Sequence, residues 1–204
     1  KNSAWRNILL PHNLLRGTMR LKTILNYGLK FKCFCIGKSE FNEKKDSIIV
    51  EIKARTNSKP VCSICGTASP GYDTLPERLF EFVPMWGLRV FFRYAMRRVS
   101  CPQCKRVVVE AVPWCDGKNH FTNHYAAFLA SWAKELSWKS VAAHFHTSWQ
   151  TVCSAVESVV NYGLTHRNLD SVTALGVDEI AWDKGDKYLT LVYQINHGAR
   201  RLFW

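Results

Sequence analysis

The order of apolar and polar residues changes character twice along this chain, and each change predicts a new kind of element. Up to VPWCDGKNH at 112–120 the apolar positions fall in strand-like runs with a period of two. The clearest case is RLFEFVPMWGLRVFFRYAMRRVSC at 78–101, where two such runs flank a turn at 84–87. After residue 120 the period lengthens to 3.6. Tyr125, Phe128, Leu129, Trp132 and Leu136 recur at i, i+3, i+4, i+7 and i+11, the stripe of a helix facing a core, with Thr122 placed to cap it. Ser137 predicts the start of a short helix running to about Phe145. Ser148 predicts a longer one with Val152, Val156 and Val159 inside and an end near Gly163. Period two then returns in ALGVDEIAW, KYLTLVYQI and ARRLFW, joined by DKGD and NHG, whose Gly with Asn or Asp favours hairpin turns.

The first of those late runs sets Asp178 in the middle of what reads as a buried strand. Alternation puts Asp178 and Glu179 on opposite faces, so they cannot serve one metal ion together. Asp183 and Asp186 fall in the turn and are expected to be solvated. Antiparallel strands with an Asp inside the first resemble the opening of a ribonuclease H-like domain.

The 204 residues are 47% hydrophobic and 13% aromatic, a globular composition with room for one large domain or two to three small ones. No apolar run approaches the roughly 20 residues of a membrane-spanning helix. The apolar patch near the start is broken by Pro11 and is too short for a secretory signal, so a cytoplasmic protein is expected. MRLKTILN from Met19 makes a natural start, which leaves 1–18 as a leader of doubtful structure and function.

The net charge of +12 is unevenly placed. Residues 1–39 hold eight basic side chains and no acid. The block 87–108 holds Arg89, Arg93, Arg97, Arg98, Lys105 and Arg106, again with no acid. Such clusters release counterions from a phosphate backbone and give sequence-independent affinity for nucleic acid. The plainer alternative is a solvated face that aids solubility. An anionic membrane fits less well, because the basic residues sit among strands rather than on one amphipathic helix.

Four of the eight cysteines form matched hooks, CSIC (Cys62, Cys65) and CPQC (Cys101, Cys104). Two intervening residues let both thiolates of a hook turn onto one ion, and two hooks complete a tetrahedral S4 shell suited to structural zinc. Gly66 follows the first hook and Pro102 lies inside the second. The 35 residues between the hooks exceed the usual spacing, and the predicted hairpin at 78–101 returns the chain. Buried thiols or a disulfide pair are the alternatives, the latter disfavoured in a reducing compartment. Cys33, Cys35, Cys115 and Cys153 lack hook spacing and read as small apolar residues.

Helix, tight turn and helix across 137–163 match a helix-turn-helix, whose second helix lies in a major groove. Its outward positions would be Gln150, Thr151 and Ser154; Gln pairs bidentately with adenine and Thr meets a thymine methyl. A small helical bundle is the alternative reading. The block carries almost no net charge, and His146 stands where such turns usually have Gly.

Taken together, MRLKTILN, CSIC, CPQC, RRVSC, VPW, SWQTV and LGVDEIAWDKGDKYLTLV resemble, in order from residue 19 to 204, the transposases of the ISL-three insertion-sequence group. The resemblance implies an α+β, multi-domain chain: a basic arm and strands at 19–58, a small zinc-ribbon-like β domain at 59–116, a helix-turn-helix domain at 117–168, and at 169–204 the first strands of an incomplete ribonuclease H-like sheet. It implies double-stranded DNA as partner, at the element's terminal repeats, and a nucleoid-associated location; a homodimer is left open. It makes Asp178 the first of an Asp-Asp-Glu triad that works with Mg2+ or Mn2+ in an intact catalytic domain. The second Asp and the Glu are expected beyond residue 204, so the chain should bind DNA but not cut it alone. A stand-alone DNA-binding protein that competes with full-length transposase is the main rival, and a decayed remnant the third reading.

Overall fold

The computed structural model describes residues 21–116, 118–170, 172–196, 198, 202 and 203. The leader at 1–18, most of the ARRLFW run and the end of the chain lie outside the described residues. The chain divides into two units, one running to Ser158 and the other Val159–Trp204.

The first unit begins with helix α1 (Leu21–Leu29), whose Leu25 is buried. Strands β1 (Phe34–Asn42) and β2 (Ser47–Ala54) pair antiparallel through a 3-10 turn, Glu43–Lys45, closed by Asp46 in the left-handed region. A bulge interrupts β1 between Ile36 and Ser39. Gly37 lies in it, where an added Cβ would come within 2.6 Å of the Glu51 carboxylate.

The two long runs read from sequence are β3 (Gly71–Met85) and β4 (Leu88–Cys101). They turn through Trp86 and Gly87, both with positive φ, 54° and 79°. Two such residues make a turn whose twist matches that of the flanking strands. β4 pairs with β3 along one side; along the other it pairs parallel with β2 and then antiparallel with β5 (Arg106–Val109). The sheet order is β1-β2-β4-β3, with β5 also on β4.

Alternation along β4 buries Val90, Phe92, Tyr94 and Met96. They meet Phe34 and Ile36 of β1, Ile48, Val50 and Ile52 of β2, and Phe80 and Phe82 of β3. Trp114, fully buried, closes this core, with edge-on rings of Phe34, Phe80 and Tyr94 around it. Burial of each large side chain contributes about 2 kcal/mol. The division expected between 58 and 59 therefore runs through one continuous sheet and one core: β1 and β2 cover their apolar faces with the strands that carry the cysteine hooks.

α2 (Asn123–Trp132) starts on the outer edge of β3, where Glu81 N–H donates to His120 O and Thr122 N–H donates to Glu81 O, both at 2.8 Å. The Thr122 hydroxyl caps it, accepting from Tyr125 N–H at 3.2 Å. α2 ends four residues before Leu136, because Ser137 already caps α3 (Trp138–His144). Trp132 is left 42% exposed, so the inward stripe is Tyr125, Ala126, Leu129 and Ala130. α4 (Trp149–Thr165) begins at the Ser148 cap, whose hydroxyl accepts from Thr151 N–H at 3.0 Å. It buries Val152 and Ala155, whereas Val156 and Val159 are half-buried. It also runs through Gly163, which keeps a right-handed conformation.

The second unit holds the end of α4 and a two-stranded hairpin, β6 (Leu175–Asp183) and β7 (Lys187–Gln194), turning at Gly185 with φ 92°. The register pairs Asp178 with Leu191 and Glu179 with Thr190. β6 is not the buried strand that its apolar composition suggested: Val177 is 67% and Trp182 62% exposed. Burial needs a second layer, and among the described residues β6 pairs only with β7.

Candidate metal centre and nucleic-acid interface

The first hook is shaped by an antiparallel bridge between Val61 and Ala68, with Cys62 N–H donating to Thr67 O and Gly66 N–H donating to Cys62 O. Gly66 has φ 72°, the left-handed conformation that the tight knuckle requires. The second hook is the connection between β4 and β5. There Lys105 takes the left-handed position at φ 53°, and Cys104 N–H points at Cys101 Sγ, 3.4 Å away. A hydrogen bond of 2.7 Å from the Thr67 hydroxyl to Gln103 Oε1 laces the hooks together.

All four sulfur atoms lie within 4.8 Å of one another, with Cys62 to Cys104 at 3.9 Å and Cys65 to Cys101 at 3.5 Å. A tetrahedral ion with metal–sulfur bonds of about 2.3 Å holds its sulfurs about 3.8 Å apart, so the cluster fits a structural metal of the zinc type. Cys62 and Cys101 are buried beside Val99, which shuts water from one side. The Cys104 N–H holds the Cys101 thiol down to about 6, and the Thr67 hydroxyl lowers that of Cys65. The same crowding, led by Cys65, pushes Cys104 up to about 12. Four thiolates therefore coexist only with a cation among them, and loading the site releases protons.

The basic block of β4 looks different in three dimensions. Its sequence contains no acid, but acids of neighbouring strands face it. Arg89 pairs with Glu81 at 2.9 Å, Arg93 with Glu40 at 3.5 Å and Glu77 at 3.9 Å, and Arg98 with Asp73. Arg97 is the most enclosed. Its Nε, Nη2 and backbone N–H all donate to the Glu110 carboxylate, which also accepts from Tyr94 OH at 2.7 Å. Glu110 is completely enclosed and bridges to Cys62 across the strands, so this ion pair supports the first hook. Lys105 and Arg106, at the tip of the second hook, have no ion-pair partner among the described residues. Sequence reading passed over Glu110, although an acid directly after the apolar RVVV run was the available signal.

α3 and α4 stand in helix-turn-helix order. His146, where a turn Gly was expected, adopts that glycine's left-handed conformation at φ 51°. At the head of α4, Gln150 is exposed, and Thr151 and Ser154 are half-buried. The Thr151 hydroxyl lies 2.8 Å from Ser148 Oγ. Trp149 is 50% exposed, its ring centred 5.9 Å from that of Trp138.

On β6, Asp178 is exposed and accepts a hydrogen bond from the N–H of Glu179, whose own side chain projects to the other face. Asp183 pairs with Lys187 at 2.8 Å, which lowers its carboxyl below the ordinary range. β6 therefore gathers no second carboxylate beside Asp178.

No protein-family model matches the chain, and no solved structure matches it. Curated relatives do. The transposase for insertion sequence element IS1557 of Mycobacterium tuberculosis, in two strains, is 29% identical over 164 residues, 77% of this chain and 35% of that protein. The transposase for insertion sequence element IS1001 of Bordetella parapertussis is 23% identical over 144 residues, 71% of this chain and 35% of that protein. The chain thus spans about a third of the length of the curated relatives it matches, and its likeness is to insertion-sequence transposases.

Proposed function

We propose that this chain is the DNA-recognising portion of an insertion-sequence transposase of the ISL-three kind, and that it binds the terminal inverted repeats of its element. The observation that carries this reading is the similarity to two insertion-sequence transposases over 71–77% of the chain. The cysteine cluster, holding structural zinc, fixes β4 and β5 so that Lys105 and Arg106 stand clear for phosphate contact. The head of α4 supplies sequence readout through Gln150, Thr151 and Ser154. Arg89, Arg93 and Arg98 reach phosphate by exchanging a surface carboxylate partner, while Arg97 serves the fold.

In this reading β6 and β7 open a ribonuclease H-like sheet, with Asp178 as one triad carboxylate. Divalent ions held by several carboxylates would activate the attacking water and stabilise the leaving oxygen. The second Asp and the Glu of that triad are not supplied by β6: Glu179 is on the wrong face and Asp183 is tied to Lys187.

The test is a salt titration of binding to a terminal-repeat duplex and to a random duplex. Binding should weaken steeply with salt on both, by about one log unit per log unit of salt for each phosphate contact. The repeat should bind more tightly, and Gln150→Ala should shrink that preference by about tenfold. Equal affinities for both duplexes would overturn recognition of the repeats.

A further inference from the structure

The first unit holds an unassigned cavity of about 460 Å3 between the end of α1, the start of β1 and the segment after β5. Phe31, Val61, Val112 and Pro113 wall it. Phe31 is half-buried, and its ring leans on Trp114 with centroids 5.4 Å apart, so the wall is backed by the core and cannot collapse inward. Lys30, Lys32 and Lys59 line the same cavity; all three are exposed, and none has a carboxylate partner among the described residues. The one acid in the lining, Glu110, is already neutralised by Arg97. Lys30 is held in the left-handed region at φ 44°, where the chain turns sharply out of α1.

An apolar, aromatic wall beside three ammonium groups without a carboxylate partner, one of them (Lys30) 5.5 Å over the Tyr27 ring, suits a ligand that is flat and apolar at one end and anionic at the other. Polynucleotides offer that combination only where a base has left its stack, because in a duplex the bases cover one another. We infer that this cavity takes one unpaired nucleotide of the DNA, its base against Phe31 and its flanking phosphates on Lys30, Lys32 and Lys59. The inference rests on the DNA-binding reading above and adds to it a separate site, on the face of α1 and β1, for a single-stranded end or an extruded base. The zinc cluster and α4 contribute nothing to the lining.

The experiment measures binding of the whole chain to a blunt duplex, to the same duplex carrying a single-stranded extension, and to the single strand alone. The extension should raise affinity about tenfold, the worth of one to two stacked bases. Phe31→Ala should abolish that gain and weaken single-strand binding by a similar factor, while leaving the blunt duplex within about twofold. Lys32→Glu should act in the same direction. Phe31→Leu keeps the apolar packing against Trp114 without a ring and serves where the alanine variant fails to fold. The cavity assignment falls if the extension adds nothing, or if the Phe31 variants weaken blunt and extended duplexes equally. If the blunt duplex is not bound but the single strand binds and depends on Phe31, the cavity stands and recognition of duplex repeats falls.

Discussion

Glu110 carries a full charge into the protein interior, which is tolerable only because Arg97 and Tyr94 surround it with donors. Removing one partner of such a pair leaves the other charge buried and uncompensated. Glu110→Gln keeps the volume and should cost about 3 kcal/mol in a urea melt. Because Glu110 bridges to Cys62, metal should also be lost to chelators faster; a variant as stable as the parent would show that the pair is not needed for the fold. Cys115 is a second group whose state the interior sets. Burial pushes its thiol up to about 11, and it donates to Asn119 O at 3.2 Å. The fold therefore retains a proton that the unfolded chain releases near pH 9. The stability it contributes is full below that point and is lost as pH rises through 11, up to about 2 kcal/mol. Alkaline unfolding monitored with Cys115→Ala beside the parent should show the smaller pH slope in the variant between 9 and 11.

At the scale of elements, the cysteine hooks and the strands that bear them depend on each other. β4 ends in the second hook, and the first hook is tied by backbone hydrogen bonds to the residues after β5. Cys62→Ser removes one of four ligands and should release the metal and lower the melting temperature of the first unit. Cys153→Ser should do neither, since Cys153 lies on α4 beside Glu157, apart from the cluster. Metal content per chain, measured by atomic emission, decides between them; an unchanged content in Cys62→Ser would sink the four-cysteine assignment. The connection from α3 to α4 is short and carries His146 in the left-handed region. At φ 51° His146 bears the small cost that a side chain with a Cβ incurs in that region.

For the whole molecule, the chemistry hinges on carboxylates. Metal-assisted phosphodiester cleavage needs several of them converging, and β6 sets none beside Asp178: Glu179 projects to the other face, and Asp183, five residues on, is paired with Lys187. The 204-residue chain should therefore bind repeat DNA without nicking it in Mg2+ or Mn2+, as read on a denaturing gel. Robust strand cleavage by this chain would overturn that assignment. No helix among the described residues is long and apolar enough to cross a membrane.

What the sequence determined by itself was local. Cap residues, period and hook spacing act over a few residues, so the hairpin at 78–101, the starts of α2, α3 and α4, and the four cysteines were legible from neighbours alone. Partners far apart in the chain were not. That β2 pairs parallel with β4, joining 19–58 to 59–116, follows from packing two apolar faces together, which no local pattern encodes. The same holds for charge: an acid-free block on one strand says nothing about the acids on the next, and only the sheet brought Glu40, Glu77, Glu81 and Asp73 onto the β4 arginines. Tertiary structure also exposed Asp178, because burial belongs to the layer a strand lies under and not to the strand.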